Sequence, residues 1–286
     1  MFHVSIIMVR YSEIGLKSTP VRMRFENQLK DAMLSMLAAD GVEALVDKGS
    51  ARFYVQTADN DSAIMSLRKV FGIGSLSVAE VTTSSMEDIC RTAAEYSKGR
   101  IFEGESFAVK PRREGSHPYK SMDVGREAGS AIFRENEHLG VRVDLTNPDK
   151  IFYVEVRENK SYVFNEYVRC HGGLPVGSQG RAIAFLGDDR ASLSTWLMMK
   201  RGCRISARGK DSTGILIHYD PGIKFIEDHE EDPRSALGYV MGTSLEKIQE
   251  VDVSKYDLPI YFPTIGMTDA KVNEMIESLK KECKIN

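Results

Sequence analysis

The sequence predicts an α+β architecture followed by an α/β one, and three observations carry that expectation. Residues 3–81 read in the order βαββαβ, the order of a ferredoxin-like unit. From there to about residue 170, strand and helix patterns alternate again. Beyond it, the apolar run 182–186, Gly187 and a helical pattern over 192–201 make a strand, a turn and a helix in immediate succession.

Taken in order, residues 3–11 suit a strand and Gly15 a turn. Phe25, Leu29, Ala32, Met33 and Met36 recur at helical spacing, so 19–39 is an amphipathic helix. Thr19 caps it, Pro20 takes the first helical position and Gly41 ends it. Residues 42–46 and 51–57 form a hairpin about Lys48, Gly49 and Ser50. A helix over 61–71 and a strand over 76–81 complete the unit, with a domain border near residue 80. The polar cluster 82–85 caps a helix over 86–99. Residues 106–110 are strand-like, 111–120 a polar loop, and 121–135 a helix with Ser121 as N-cap. A strand over 142–145, a turn at Asn147, Pro148 and Asp149, and a hairpin of 151–157 with 161–165 follow. After the flexible connection 171–175 and the strand–turn–helix come a strand over 204–207 and irregular or β-rich sequence to 226. The chain closes with an acidic run over 227–232, a strand over 238–241, an apolar segment over 258–262 and a helix over 268–283.

A chain of 286 residues, 42% apolar and 28% charged, suits two or three globular domains with a real core. A net charge of −3 excludes a wholly basic nucleic-acid coat but not local basic patches. Cys90, Cys170, Cys203 and Cys283 lie far apart with no CxxC pair, so neither a zinc site nor a disulfide framework is expected. The reducing cytoplasm is the expected location. The apolar run 4–9 is too short to span a bilayer and lacks a signal-peptide layout, so no membrane role is expected.

Lys110, Arg112, Arg113, His117, Lys120 and Arg126 fall in one window whose only acids are Glu114 and Asp123. Tyr119 lies inside it, ready to stack on a base or sugar. Such a window suits phosphate contacts, and the competing reading is a solvated charged loop. Arg22 and Arg24 near the first helix start, and Lys200, Arg201, Arg204, Arg208 and Lys210, add two further basic stretches. Three separated patches on a slightly acidic chain point to one extended anionic partner.

A strand, a Gly turn and a helix N-terminus commonly cradle phosphate, because free N–H groups and the helix dipole face the anion. Here the turn carries Asp188 and Asp189, which repel phosphate. Helix capping by one of them is a simpler reading than a divalent metal held between them, and no metal site is expected. The run 227–232 reads as an acidic loop, and Cys203 as a structural thiol despite its basic neighbours.

Several segments together resemble one family, the archaeal and bacterial tRNA 4-thiouridine synthetases, or tRNA sulfurtransferases. Arg10-Tyr11-Ser12-Glu13-Ile14-Gly15-Leu16-Lys17-Ser18, Arg24-Phe25-Glu26 and Val70-Phe71-Gly72-Ile73-Gly74 resemble its N-terminal ferredoxin-like domain. Phe107-Ala108-Val109-Lys110-Pro111-Arg112-Arg113 through His117 and Asp123, then Leu145-Thr146-Asn147-Pro148-Asp149 and Val154-Glu155-Val156, are similar to its THUMP domain, an RNA-binding module. Gly172-Gly173-Leu174-Pro175-Val176-Gly177-Ser178-Gln179-Gly180 and Leu197-Met198-Met199-Lys200-Arg201-Gly202-Cys203 resemble the linker and first helix of its PP-loop domain. Val240-Met241-Gly242-Thr243-Ser244-Leu245 and Leu258-Pro259-Ile260 through Met267 continue the likeness. The resemblance implies a ferredoxin-like domain over 1–80, a THUMP domain over 81–170 and a reduced Rossmann-like, PP-loop-derived domain over 171–286.

The departure falls on the chemistry. Family members carry Ser-Gly-Gly-x-Asp-Ser between that strand and helix to hold the ATP pyrophosphate. Aligned without gaps from the shared Arg-Gly-Cys, the six places are Leu186, Gly187, Asp188, Asp189, Arg190 and Ala191. Gly187, Asp188, Asp189 and Arg190 thus form a degenerate pyrophosphate loop, and the segment after the helix is shorter than in active members. The chain also stops before the family's catalytic cysteine region, and no such role passes to Cys283. The resemblance then implies a tRNA-binding protein with no catalytic residue or cofactor of its own. Lys110, Arg112, Arg113, His117, Lys120, Arg126, Arg22 and Arg24 would bind the RNA, and the acceptor stem would be read by shape. It would hold or deliver tRNA for another subunit, as a homodimer or beside a catalytic partner. The competing expectation is a divergent tRNA sulfurtransferase using ATP and Mg²⁺ at Asp188 and Asp189. A scaffold without an RNA role is the third.

Overall fold

β1 (Ser5–Tyr11) opens the described chain in a computed structural model that covers residues 5–11, 13–227 and 235–285. A 3₁₀ turn over Glu13–Leu16 leads into α1 (Thr19–Ala39), whose buried residues include Phe25, Leu29, Met33 and Met36, as the spacing predicts. The N-cap is Ser18, one residue earlier than expected, so Pro20 takes the second helical position. Its missing N–H costs nothing there, because first-turn amides have no intrahelical acceptor. β2 (Ala44–Gly49) and β3 (Arg52–Thr57) form the expected hairpin, but Lys48 and Gly49 stay in the strand. The turn moves to Ser50 and Ala51, with Ala51 in the left-handed region at φ 54°. α2 (Asn60–Arg68) ends three residues short of the expectation, as Lys69 and Val70 switch to tighter bonds on Ser66 and Leu67.

β4 (Ile73–Thr83), α3 (Met86–Ser97), β5 (Ser106–Glu114) and α4 (Ser121–Asn136) follow, α3 being capped by the Ser85 hydroxyl on Asp88 N. After a 3₁₀ turn at Glu137–Leu139 come β6 (Arg142–Val143), the β7 (Lys150–Arg157) and β8 (Lys160–Phe164) hairpin, and β9 (Val168–Arg169). The last part runs β10 (Arg181–Phe185), α5 (Asp189–Lys200), β11 (Arg204–Arg208), α6 (Leu216–Tyr219), β12 (Lys224–Ile226), β13 (Ala236–Val240), β14 (Ile260–Tyr261) and α7 (Asp269–Cys283). α6 and β12 occupy the stretch expected to be irregular or β-rich. Of the acidic run, 228–232 lies outside the described residues.

The chain divides into two compact units. One takes the chain up to Val9, Tyr54–Asn60 and Leu76–Val168. Its strands follow the order β3-β1-β4-β8-β7-β5-β6, with β5 parallel to β6 and β7, and β8 antiparallel to β7 and β4. Ile89 and Ala93 of α3 with Val124, Ala128 and Ile132 of α4 cover one sheet face over Phe107, Phe152, Val154 and Val163. The other face carries Ile6, Met8, Ala79, Tyr162 and Phe164. Burying these side chains is the main force holding the layers together.

The second unit takes Arg10–Phe53, Asp61–Ser75 and Arg169 onward. It contains a five-stranded parallel sheet of order β12-β11-β10-β13-β14. The first strand, β10, sits in the middle, and the chain then builds outward on either side. That Rossmann-like order creates a switch point between β10 and β13. Leu193, Trp196 and Met199 of α5 and Val272, Ile276 and Leu279 of α7 bury Ala182, Ala184, Ile205, Ala207 and Val240 on one face. Ile183, Ala236 and Tyr239 form the core of the other. In the same unit Asp40 bonds Lys69 Nζ at 2.8 Å and Ser66 Oγ at 2.5 Å, pinning the end of α1 to the end of α2. No helix among the described residues is long and apolar enough to cross a membrane.

Candidate nucleic-acid interface and the strand–turn–helix element

The basic window is not the polar loop expected. β5 continues to Glu114 because eight successive residues, Phe107 to Glu114, pair in register with Lys150 to Arg157 of β7. β6 pairs only Ser106 and Phe107, so the outer edge of β5 lies open beyond them. Pro111 is tolerated there, since a proline cannot donate to a second ladder. Strand alternation then sorts the cations. Lys110, Arg112 and Glu114 are exposed, whereas Val109, Pro111 and Arg113 are half-buried toward α4.

Arg113 and His117 are engaged within the protein. Arg113 Nη1 donates to Gly115 O at 2.6 Å and lies 3.4 Å from His117 Nδ1, while His117 Nε2 meets Glu158 O at 2.6 Å. The His117 ring stacks on Tyr119 at 5.4 Å between centroids, and the Tyr119 hydroxyl donates to Ser84 O. Burial pushes that hydroxyl above its ordinary pKa. These three side chains hold the segment between β5 and α4 in place. The N-cap of α4 is Lys120, not Ser121, and its backbone N–H donates to Asp123 at 2.8 Å. Arg126 pairs with Asp123 at 3.5 Å and Glu127 at 3.0 Å, with 70% of its side chain exposed. Such surface pairs are weak and exchange readily for phosphate. Lys110, Arg112 and Lys120 are exposed and have no side-chain partner among the described residues. Arg22 and Arg24 belong to the other unit. Arg22 reaches Glu26 at 3.9 Å, and Arg24 lies 5.3 Å from the Phe25 ring.

In the strand–turn–helix element, α5 starts at Asp189, three residues before the expectation, and Asp188 is its N-cap. Asp188 Oδ1 accepts from Ala191 N at 2.7 Å, and Asp189 Oδ1 accepts from Ser212 Oγ at 2.6 Å. Arg190 is only 9% exposed. Its guanidinium donates to Thr264 O at 2.8 Å, Met267 O at 2.9 Å and Asp269 Oδ1 at 2.7 Å, fastening the loop between β14 and α7 to the start of α5. Nothing in the local pattern signals this role for Arg190. The backbone after β13 closes on the same turn: a Cβ built on Gly242 would stand 2.2 Å from Ala191 N. The crevice at the switch point is about 340 Å³ and is lined by Asp188, Asp189, Arg190, Gly242, Lys247 and Asp269. Among the described residues no group of three His, Cys, Asp or Glu side chains could hold a metal. Burial raises the Cys203 thiol, and lifts Cys170 to about 12 and Cys283 to about 11, so none is a ready thiolate.

Two family models match: the ThiI ferredoxin-like domain over residues 6–77 and the THUMP domain over residues 83–166. A probable tRNA sulfurtransferase of Thermoanaerobacter sp. strain X514 is 36% identical over 96% of this chain and 85% of its own length. This chain belongs to the tRNA sulfurtransferase family. That alignment runs over 330 positions, more than the 286 residues present here, so the tRNA sulfurtransferase of Thermoanaerobacter carries residues this chain lacks. A probable tRNA sulfurtransferase of Methanosarcina acetivorans is 41% identical over 71% of this chain. The match takes in 50% of that relative, and this chain spans about half the length of the first curated relatives it matches. Among solved structures, the Pyrococcus horikoshii Ot3 protein PH1313 superposes with a TM-score of 0.80 at 28% identity, over 98% of this chain and 99% of its own. A 4-thiouridine synthetase in complex with RNA and ATP shares the fold, with a TM-score of 0.78 at 21% identity over 98% and 87% of the two chains.

Proposed function

We propose that this tRNA sulfurtransferase family member binds tRNA through its THUMP domain, lacks adenylation activity of its own, and holds the RNA for another subunit. The observation that carries the RNA part is the exposed trio Lys110, Arg112 and Lys120 on the domain that matches THUMP. Unpartnered surface cations give up no internal ion pair on meeting a phosphate, and each phosphate they neutralise releases counterions. The family's curated members are named as tRNA sulfurtransferases, which supports tRNA as the RNA.

The turn after β10 supports the second part, because it does not fit a pyrophosphate. Asp188 already occupies the Ala191 amide, and Gly242 lies against the same backbone. Asp188, Asp189 and Asp269 bring negative charge to the crevice. Arg190, one of its two cations, is committed to two carbonyls and Asp269. ATP and Mg²⁺ therefore have no role in the proposed function. tRNA binding measured across a salt series tests the reading. Lys110→Ala/Arg112→Ala/Lys120→Ala should weaken binding at moderate salt. It should also flatten the log–log salt slope by roughly 2, since each phosphate left without its cation removes about 0.7–0.9 from the slope. Unchanged affinity and slope in the triple variant would refute the assignment.

A further inference from the structure

Two neighbouring arginines lie at the opposite end of the parallel sheet from the switch point. Arg181 and Arg204 are the first residues of β10 and β11, and they are register partners in that parallel pair. Register partners sit side by side on one face, about 4.8 Å apart. Like charges so placed repel each other unless something neutralises them. Arg181 Nη1 donates to Ser206 Oγ at 3.0 Å, and among the described residues neither guanidinium lies within salt-bridge distance of a carboxylate, Asp220 acting on Arg204 only from farther off. The Arg204 guanidinium packs against Gly177, where an ideal Cβ would lie 3.3 Å from its Nη2.

The two arginines line a cavity of about 480 Å³ within the second unit, and Gln28 and Asp31 of α1 stand on its wall. Gln28 Oε1 is buried with no hydrogen-bond partner among the described residues. Leaving a buried acceptor unpaired is unfavourable, so this one calls for an N–H or O–H donor. Asp220, also on the lining, has its carboxyl raised by burial, with Gly222 N and Arg204 pulling the other way. Val70, Phe71 and Val176 add an apolar wall. Paired guanidinia call for a phosphate, the orphaned acceptor and Asp220 for ring or exocyclic N–H donors, and the apolar wall for a flat ring. The volume is far larger than an inorganic anion needs and falls in the range of small-ligand sites.

We infer that this cavity binds a single nucleotide, with its phosphate on Arg181 and Arg204 and an amino-bearing base toward Gln28 and Asp220. The nucleotide is either free or the 5′-phosphorylated end of an RNA strand. Calorimetric titration of the full chain with 5′-AMP, 5′-UMP, inorganic phosphate and the tetranucleotide pAAAA tests this. Saturable binding of 5′-AMP or pAAAA is expected, at least tenfold weaker for 5′-UMP and for phosphate. Arg204→Ala, a change at an exposed position, should weaken binding at least tenfold, and Gln28→Leu should weaken 5′-AMP while leaving phosphate unchanged. Tighter binding of 5′-AMP identifies a free nucleotide as the ligand, and tighter binding of pAAAA identifies an RNA end. No binding, phosphate as tight as 5′-AMP, or loss of binding in Asp189→Ala but not in Arg204→Ala would overturn the inference. These outcomes are independent of the THUMP variants and leave the tRNA reading to its own test.

Discussion

Arg190 is the residue on which the start of α5 turns. The partners that fix it lie more than seventy residues away at Thr264 and Met267. No local pattern encodes such a contact. Hydrogen bonds from a buried charged donor contribute about 1.5–3 kcal/mol each, and the exposed Asp269 adds little. Arg190→Met should therefore cost about 3–6 kcal/mol in urea unfolding, and a change under about 0.5 kcal/mol would contradict this account. A cap at Asp188 or Asp189 is legible in the sequence, since a strand, a glycine and an aspartate announce a helix start, and the fold places it at Asp188. Asp188→Ala should lose about 1 kcal/mol and Asp188→Asn much less, because either side chain accepts the Ala191 N–H.

At the scale of elements, β5 and α5 were read too short for related reasons. The second half of β5 is an edge strand whose half-buried face is Val109, Pro111 and Arg113. A proline and an arginine there hide the alternation. The first turns of α5 bury Arg190, Ala191, Ser192, Ser194 and Thr195, so apolar periodicity appears only from Leu193 onward. The long amphipathic helices α1 and α7 show regular spacing and were found to within a residue. The packing of the β13 loop on α5 predicts that Gly242→Ala destabilises by about 2–4 kcal/mol, because the atoms met are backbone and cannot rotate away. A further expectation concerns the α1–α2 clasp. Burial pushes the Asp40 carboxyl up, but hydrogen bonds from Lys69 and Ser66 outweigh it, so the folded pKa lies below the ordinary value. A depressed carboxyl stabilises above the unfolded pKa, near 4, and that contribution fades as pH falls through the folded pKa. Asp40→Asn should be about 1 kcal/mol less stable at pH 7, with the gap closing in acid unfolding below about pH 4. A gap that persists at pH 2 would contradict the assignment.

For the whole molecule, strand and helix order alone gave the ferredoxin-like unit and the later strand–turn–helix, whereas the THUMP domain and the Rossmann-like succession came from motifs that resemble the family. α6 and β12 escaped notice because four and three residues are too few to show a period. The pairing of Arg181 with Arg204 escaped too, since strand register across a parallel crossover is not written in local sequence. The central claim is that the chain binds tRNA while its own adenylation chemistry is absent. One preparation should be assayed for tRNA-dependent conversion of ATP to AMP and pyrophosphate, with tRNA binding followed in the same sample. Salt-sensitive tRNA binding with no pyrophosphate release above background is the result predicted. Pyrophosphate release that requires tRNA and is lost in Asp188→Asn would contradict it, as would a chain that binds no tRNA at low salt.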